Sequence, residues 1–125
     1  MSETWRVCKL DVDIRYEDHI PIIVARGECD LLTCRKLNEA IDNLISTGHC
    51  MMVFDFREMT YIDSAGFRAL LAAKNKVAEK GGDIAVVSLT APVERAFELL
   101  RIGELVTRTD TVREAVEKLK TIECK

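Results

Sequence analysis

The chain has 125 residues, 48% of them apolar and 31% charged, with 18 basic against 21 acidic side chains and a formal net charge of -3. That is enough chain for one hydrophobic core and too little for two, so a single domain is expected over 1–125, with its core at about 10–119. Basic residues scattered among acids offer nucleic acid no continuous positive track, and no stretch approaches the roughly 20 apolar residues that cross a bilayer, which points to a cytoplasmic chain without membrane insertion.

From Leu10 to Tyr16 the apolar residues Leu10, Val12, Ile14 and Tyr16 alternate with Asp11, Asp13 and Arg15, the period of a strand with one wet face. A turn at Glu17-Asp18-His19 leads into "IPIIVARG", a second strand with Pro21 near its start, where a missing N–H does least harm. The two predict an antiparallel hairpin. Leu37, Ala40, Ile41, Leu44 and Ile45 then recur at helical spacing, with Thr33 at the start and Gly48 placed to close the helix in a left-handed cap. "CMMVFDF" is apolar nearly throughout, as in a strand covered on both faces, and it ends at Asp55 to Glu58.

From Ser64 onward Phe67, Leu70, Leu71, Val77 and Ala78 mark a second amphipathic helix that stops at Gly81-Gly82, and "DIAVVSL" reads as another buried strand. Pro92 suits the first turn of a third helix that runs to Gly103. A brief strand at "ELVTRT" and a last helix follow, the latter opened by Thr111 and Glu114 at capping-box spacing. The order β-β-α-β-α-β-α-β-α predicts an α/β domain with a mostly parallel mixed sheet of four to five strands, about four helices and an N-terminal β-hairpin.

Five cysteines, at 8, 29, 34, 50 and 124, are an odd number without a C-x-x-C pair, and they read as free thiols. Cys29, Cys34, His49 and Cys50 could be assembled into a metal site, but small buried side chains are the simpler reading. No phosphate-binding glycine loop and no G-x-S-x-G occurs, and neither His19 nor His49 stands near Ser64 in sequence, so no enzyme and no cofactor is expected.

What remains is Asp63-Ser64-Ala65-Gly66, where the chain changes from strand to helix. Aspartate and serine are favoured N-caps and small residues permit a tight turn, so capping is the plain role of this stretch. A hydroxyl at a helix start is also at the surface. There a phosphate would meet unpaired backbone N–H groups and the positive end of the helix dipole, so the domain would tolerate it. A partner docked over that helix end would not, because it would have to desolvate or repel a charge of about -1.5 to -2 beside Asp63.

Three stretches carry a resemblance to a known family: "IIVARGECDLLT", "VFDFREMTYIDSAGFRALL" and "GGDIAVVSLTAPVERAFELLRIGEL". In this order and spacing, over roughly Leu10 to Leu119, the chain resembles STAS-domain anti-sigma factor antagonists. The resemblance implies that Ser64, directly after Asp63, is phosphorylated by an anti-sigma factor that is also a serine kinase. It implies that the unphosphorylated form binds that factor and frees a sigma factor, and that the phosphorylated form lets go. Asp30, from the Gly-Glu-x-Asp pattern, is placed near the serine by the same resemblance, and ATP belongs to the partner. A phosphatase that resets the switch is a further candidate partner. The partner surface expected from it joins Asp30, Leu31 and Thr33 to Asp63, Ser64, Ala65, Gly66, Phe67 and Arg68. Ala65 stands where the family commonly has a second serine, Phe67 where leucine is common and Cys29 where an aliphatic residue is usual; "RIGEL" carries an extra residue. A second reading is a scaffold: similar domains occur as subunits of sensory assemblies or transporter complexes, where Ser64 would be a cap alone.

Overall fold

A computed structural model describes residues 9–101 and 104–124. Ten elements follow one another: β1 (Leu10–Glu17), β2 (Ile20–Cys29), α1 (Cys34–Ser46), β3 (Met51–Asp55), β4 (Met59–Ile62), α2 (Ser64–Ala78), β5 (Asp83–Val87), α3 (Ala91–Leu99), β6 (Thr107–Thr109) and α4 (Val112–Leu119). The sheet order is β1-β2-β3-β5-β6, with β4 paired to β2. β1 runs antiparallel to β2 and every other pairing is parallel. The mixed, mostly parallel sheet, the N-terminal hairpin and the four helices are those expected.

The hairpin turns on two residues, Asp18 and His19, both with positive φ (51° and 67°). Two-residue loops with that backbone match the twist of antiparallel strands, and Asp and His enter the left-handed region more readily than most non-glycine residues.

Each central strand divides its side chains between two cores, because successive residues point to opposite faces. Ile23 and Ala25 of β2, Met52 and Phe54 of β3, and Ile84 and Val86 of β5 face α1, α2 and α3. Ile22, Val53, Ala85 and Val87 face the other way, onto Val112, Ala115, Val116 and Leu119 of α4. The unbroken apolar run "CMMVFDF" thus reflects burial on both faces.

Two local expectations correspond to observed geometry. Thr111 and Glu114 form a reciprocal capping box at the start of α4. Gly48, with φ 98°, follows α1 and donates its N–H to the Ile45 carbonyl. The expected end of the third helix at Gly103 lies outside the described residues, and α3 is observed to end at Leu99.

Two expectations are corrected. Among the described residues the sheet has six strands, because Met59–Ile62 forms β4 where no strand was expected. Its burial runs buried, exposed, exposed, buried, without the alternation that signals a half-buried strand. The second correction concerns the cysteines. Cys29 and Cys34 are free and buried, but Cys50 and Cys124 are joined in a disulfide, with Cα atoms 6.1 Å apart. No group of three or more metal-ligating side chains occurs among the described residues. Among the described residues no helix is long and apolar enough to cross a membrane.

Candidate functional site

The site begins where two parallel strands end together. β2 and β4 pair as far as Cys29 opposite Ile62, and the Asp63 N–H donates to the Cys29 carbonyl at 3.1 Å. The chain therefore leaves the sheet at Asp30 and at Asp63 side by side.

On the first exit, the Asp30 carboxylate accepts the Leu32 and Thr33 N–H groups, both at 2.9 Å. Thr33 is buried, and its hydroxyl accepts the Asp30 N–H at 2.8 Å while donating to the Glu28 carbonyl at 2.7 Å. These bonds turn the loop back on itself and lift Leu31 and Leu32 into solvent, 71% and 79% exposed. Thr33 remains the N-cap position of α1, yet it makes no side-chain cap bond, its hydroxyl being spent on the loop.

On the second exit, Asp63 is the N-cap of α2, with extended backbone and a side chain that accepts from Ala65 N–H at 2.9 Å and Gly66 N–H at 3.4 Å. Ser64 is the first helical residue and is exposed, and its hydroxyl has no hydrogen-bond partner among the described residues. Capping belongs to Asp63 alone, which corrects the expectation that Ser64 shares it. The same bonds correct another point: two N–H groups expected to be open to a phosphate are already held by the Asp63 carboxylate.

Arg68 is exposed one turn further along α2, at the i+4 spacing that puts it on the Ser64 side of the helix. Gly66 and Phe67 lie beneath this surface, Phe67 meeting Phe97 edge to face with centroids 5.0 Å apart, and Ala65 is 9% exposed. Of the residues expected to meet a partner, Leu31, Ser64 and Arg68 are exposed and Asp30 and Asp63 half-buried. The side chains of Thr33, Ala65 and Phe67, with the backbone of Gly66, instead build the floor, since a group already packed against its own domain cannot reach a neighbour without repacking.

His19, at the β1–β2 turn, and His49, just before β3, stand at the end of the sheet where β2 and β3 begin, whereas Ser64 follows the end of β4. Neither histidine is therefore placed to take a proton from Ser64. What the arrangement offers is an exposed hydroxyl at the capped start of a helix, with two exposed leucines on the neighbouring strand exit. Residues 11–115 match the family model of the STAS domain. The chain belongs to the STAS domain family.

Distant relatives of this STAS domain cover most of its length. The anti-sigma F factor antagonist of Paenibacillus polymyxa is 23% identical over 116 residues, 90% of this chain and 99% of that protein. Among solved structures, the anti-sigma factor antagonist SpoIIAA in its unphosphorylated form has a TM-score of 0.76 at 16% identity, over 90% of this chain and 99% of that one. The phosphorylated form of the Bacillus cell fate determinant SpoIIAA has a TM-score of 0.67 at 16% identity, over 86% and 98%. At such identities the two structures establish the shared fold.

The sequence reading of the STAS domain, whose partner loop ran from Asp30 to Thr33, left out Tyr61, which is 49% exposed on β4. Asp55 was also missed. It is 4% exposed, accepts the Arg57 N–H at 3.0 Å and lies 3.7 Å from Arg15 and 3.8 Å from Arg57, so it pins the turn that delivers β4 to the site.

Below Gly66 lies Cys29, fully buried, whose thiol is pushed from 9.0 up to about 12 by burial, with repulsion from Cys34, Asp63 and Asp30 adding to it. The folded protein keeps this proton to higher pH than the unfolded chain does. Its contribution to stability is therefore whole below pH 9.0 and is lost as pH rises to about 12. The difference in unfolding midpoint between the native protein and Cys29→Ala is expected to be constant below pH 9 and to narrow above it. A gap independent of pH would show that the thiol ionises as freely folded as unfolded.

Proposed function

We propose that this STAS domain is a phosphorylation-controlled protein-binding module, not an enzyme. Its partner is an anti-sigma factor with serine kinase activity. The unphosphorylated form docks on that partner and so frees a sigma factor, and a phosphate on Ser64 ends the contact.

The observation that carries this reading is Ser64 itself: exposed, unpartnered, and fixed by a helix whose cap is another residue. The fold loses no bond when the hydroxyl is esterified, while the positive end of α2 and Arg68 at i+4 favour the new charge. The surface beside it gains a dianion, which a packed contact built on Leu31 and Leu32 does not accommodate. The similarity to an anti-sigma F factor antagonist and to SpoIIAA, solved with and without phosphate, supports the choice of partner class.

The test is incubation with a candidate anti-sigma kinase and magnesium ATP, followed by peptide mass spectrometry. Phosphate is expected on Ser64 and on no other residue. Phosphate elsewhere, unchanged in Ser64→Ala, overturns the proposal.

A further inference from the structure

At the end of the sheet remote from Ser64, a covalent bond ties the last segment of the chain to the first residue before β3. Cys50 is 2% exposed, and its carbonyl accepts the Asp83 N–H at 3.2 Å. Gly82 is packed so tightly over it that a Cβ there would lie 2.8 Å from the Cys50 Cβ. Cys124 is exposed and follows Ile122, which packs against the α4 face of the sheet. The two cysteines are 74 residues apart, and their Cα separation of 6.1 Å falls in the range disulfides span. The ring they close contains β3, β4, α2, β5, α3, β6 and α4.

We propose that Cys50 and Cys124 are a reversible redox modification site, a latch that holds α4 and the tail behind it against the sheet. Among the described residues α4 is the only helix in the second core cluster, and it has eight residues. Isolated helices of that length do not persist in water, so α4 depends on its docking for existence. The disulfide ties the chain covalently to the sheet beyond the C-terminal end of α4.

The chemistry is thiol–disulfide exchange with a low-molecular-weight disulfide such as oxidised glutathione. The exposed Cys124 thiolate attacks one glutathione sulfur, forming a mixed disulfide and releasing one glutathione thiolate. Cys50 gives its proton to solvent and attacks the Cys124 Sγ, and the second glutathione leaves as thiolate and takes a proton. Two protein thiols and one glutathione disulfide become one protein disulfide and two glutathiones, with two electrons passing to glutathione. Opening reverses these steps, beginning with attack by a glutathione thiolate on the accessible Cys124 sulfur.

The full chain is equilibrated in glutathione buffers of graded ratio, alkylated, and analysed by intact mass and peptide mapping. Five alkylated thiols are expected at the reduced end and three at the oxidised end, with the Cys50 and Cys124 peptides linked. Reduction is expected to lower Tm on the order of 10 °C, as closing a loop this long predicts, and to raise hydrogen exchange in α4. Cys124→Ser is expected to keep the lower Tm in every buffer. The proposal is overturned by five thiols at every ratio, by a link to Cys8, Cys29 or Cys34 instead, or by a Cys50–Cys124 bond that leaves both Tm and α4 exchange unchanged. These readouts involve neither Ser64 nor its partner, so they stand or fall apart from the proposed function.

Discussion

Protein phosphorylated at Ser64 is expected to bind the anti-sigma kinase about a hundredfold more weakly than the unmodified protein, with the same Tm. A hundredfold corresponds to about 3 kcal/mol, since each 1.4 kcal/mol is a factor of ten. The two halves of the result come from different parts of the geometry. Affinity falls because Ser64 and the exposed Leu31 and Leu32 follow the two strand ends that Asp63 N–H and the Cys29 carbonyl tie together, and a contact closing over both exits must strip water from a dianion next to Asp63. Stability holds because the α2 cap belongs to Asp63, whose bonds to Ala65 and Gly66 leave the Ser64 hydroxyl out. Ser64→Ala is expected to bind like the unmodified protein. Ser64→Asp, with one charge on a shorter stem, is expected to lose about tenfold. Isothermal titration of the phosphorylated and untreated protein against the same partner measures the ratio. Equal affinities would remove Ser64 as the switch, and a fall in affinity matched by a fall in Tm would make it a structural residue.

How much of this was legible depended on how local the cause was. The capping box at Thr111 and Glu114 could be read because both partners lie within one turn of helix. The double burial of "CMMVFDF" could be read because a strand apolar at every position has no wet face to offer. β4 could not, since its four residues have no alternation and are held by pairing with β2, 33 residues away, across a register shift between Gly27 and Glu28. The Cys50–Cys124 bond joins residues with no spacing signature, and only the fold brings them together.

The candidate site shows the same division at finer scale. Asp-Ser-Ala-Gly announces a helix start, but which of two adjacent capping residues serves is decided by where the extended backbone stops. That point is set by the Asp63 N–H bond to Cys29, a contact between distant segments. Thr33 was expected at the helix start and, from the family resemblance, on the partner surface. Its hydroxyl is needed inside, where it satisfies the Asp30 N–H and the Glu28 carbonyl together. A buried polar group must find partners, and here the partners shape the loop that displays Leu31 and Leu32.

Gly66→Val is expected to destabilise the fold by about 3 kcal/mol, the upper end of what overpacking costs. α2 descends so closely onto the ends of β2 and β4 that a Cβ at Gly66 would lie 2.6 Å from the Ile62 Cγ1 and 2.9 Å from the Cys29 Sγ. Both neighbours are buried, Ile62 at 5% and Cys29 at 0% exposure, so neither can swing into solvent. The comparison with alanine decides the cause. In an open helix, glycine to alanine gains about 1 kcal/mol of helix propensity. Gly66→Ala is expected to lose stability instead, because contact below van der Waals distance outweighs that gain. Removing one of the two obstacles should return part of the loss, so Cys29→Ala combined with Gly66→Ala should be less destabilised than the sum of the single changes. Denaturant midpoints at constant m-value measure all three. Additive effects would mean that α2 does not rest on Cys29. Coupling would show that the helix carrying Ser64 is held in place by contact with the strand that leads to Asp30, which is how two segments 34 residues apart come to present one surface.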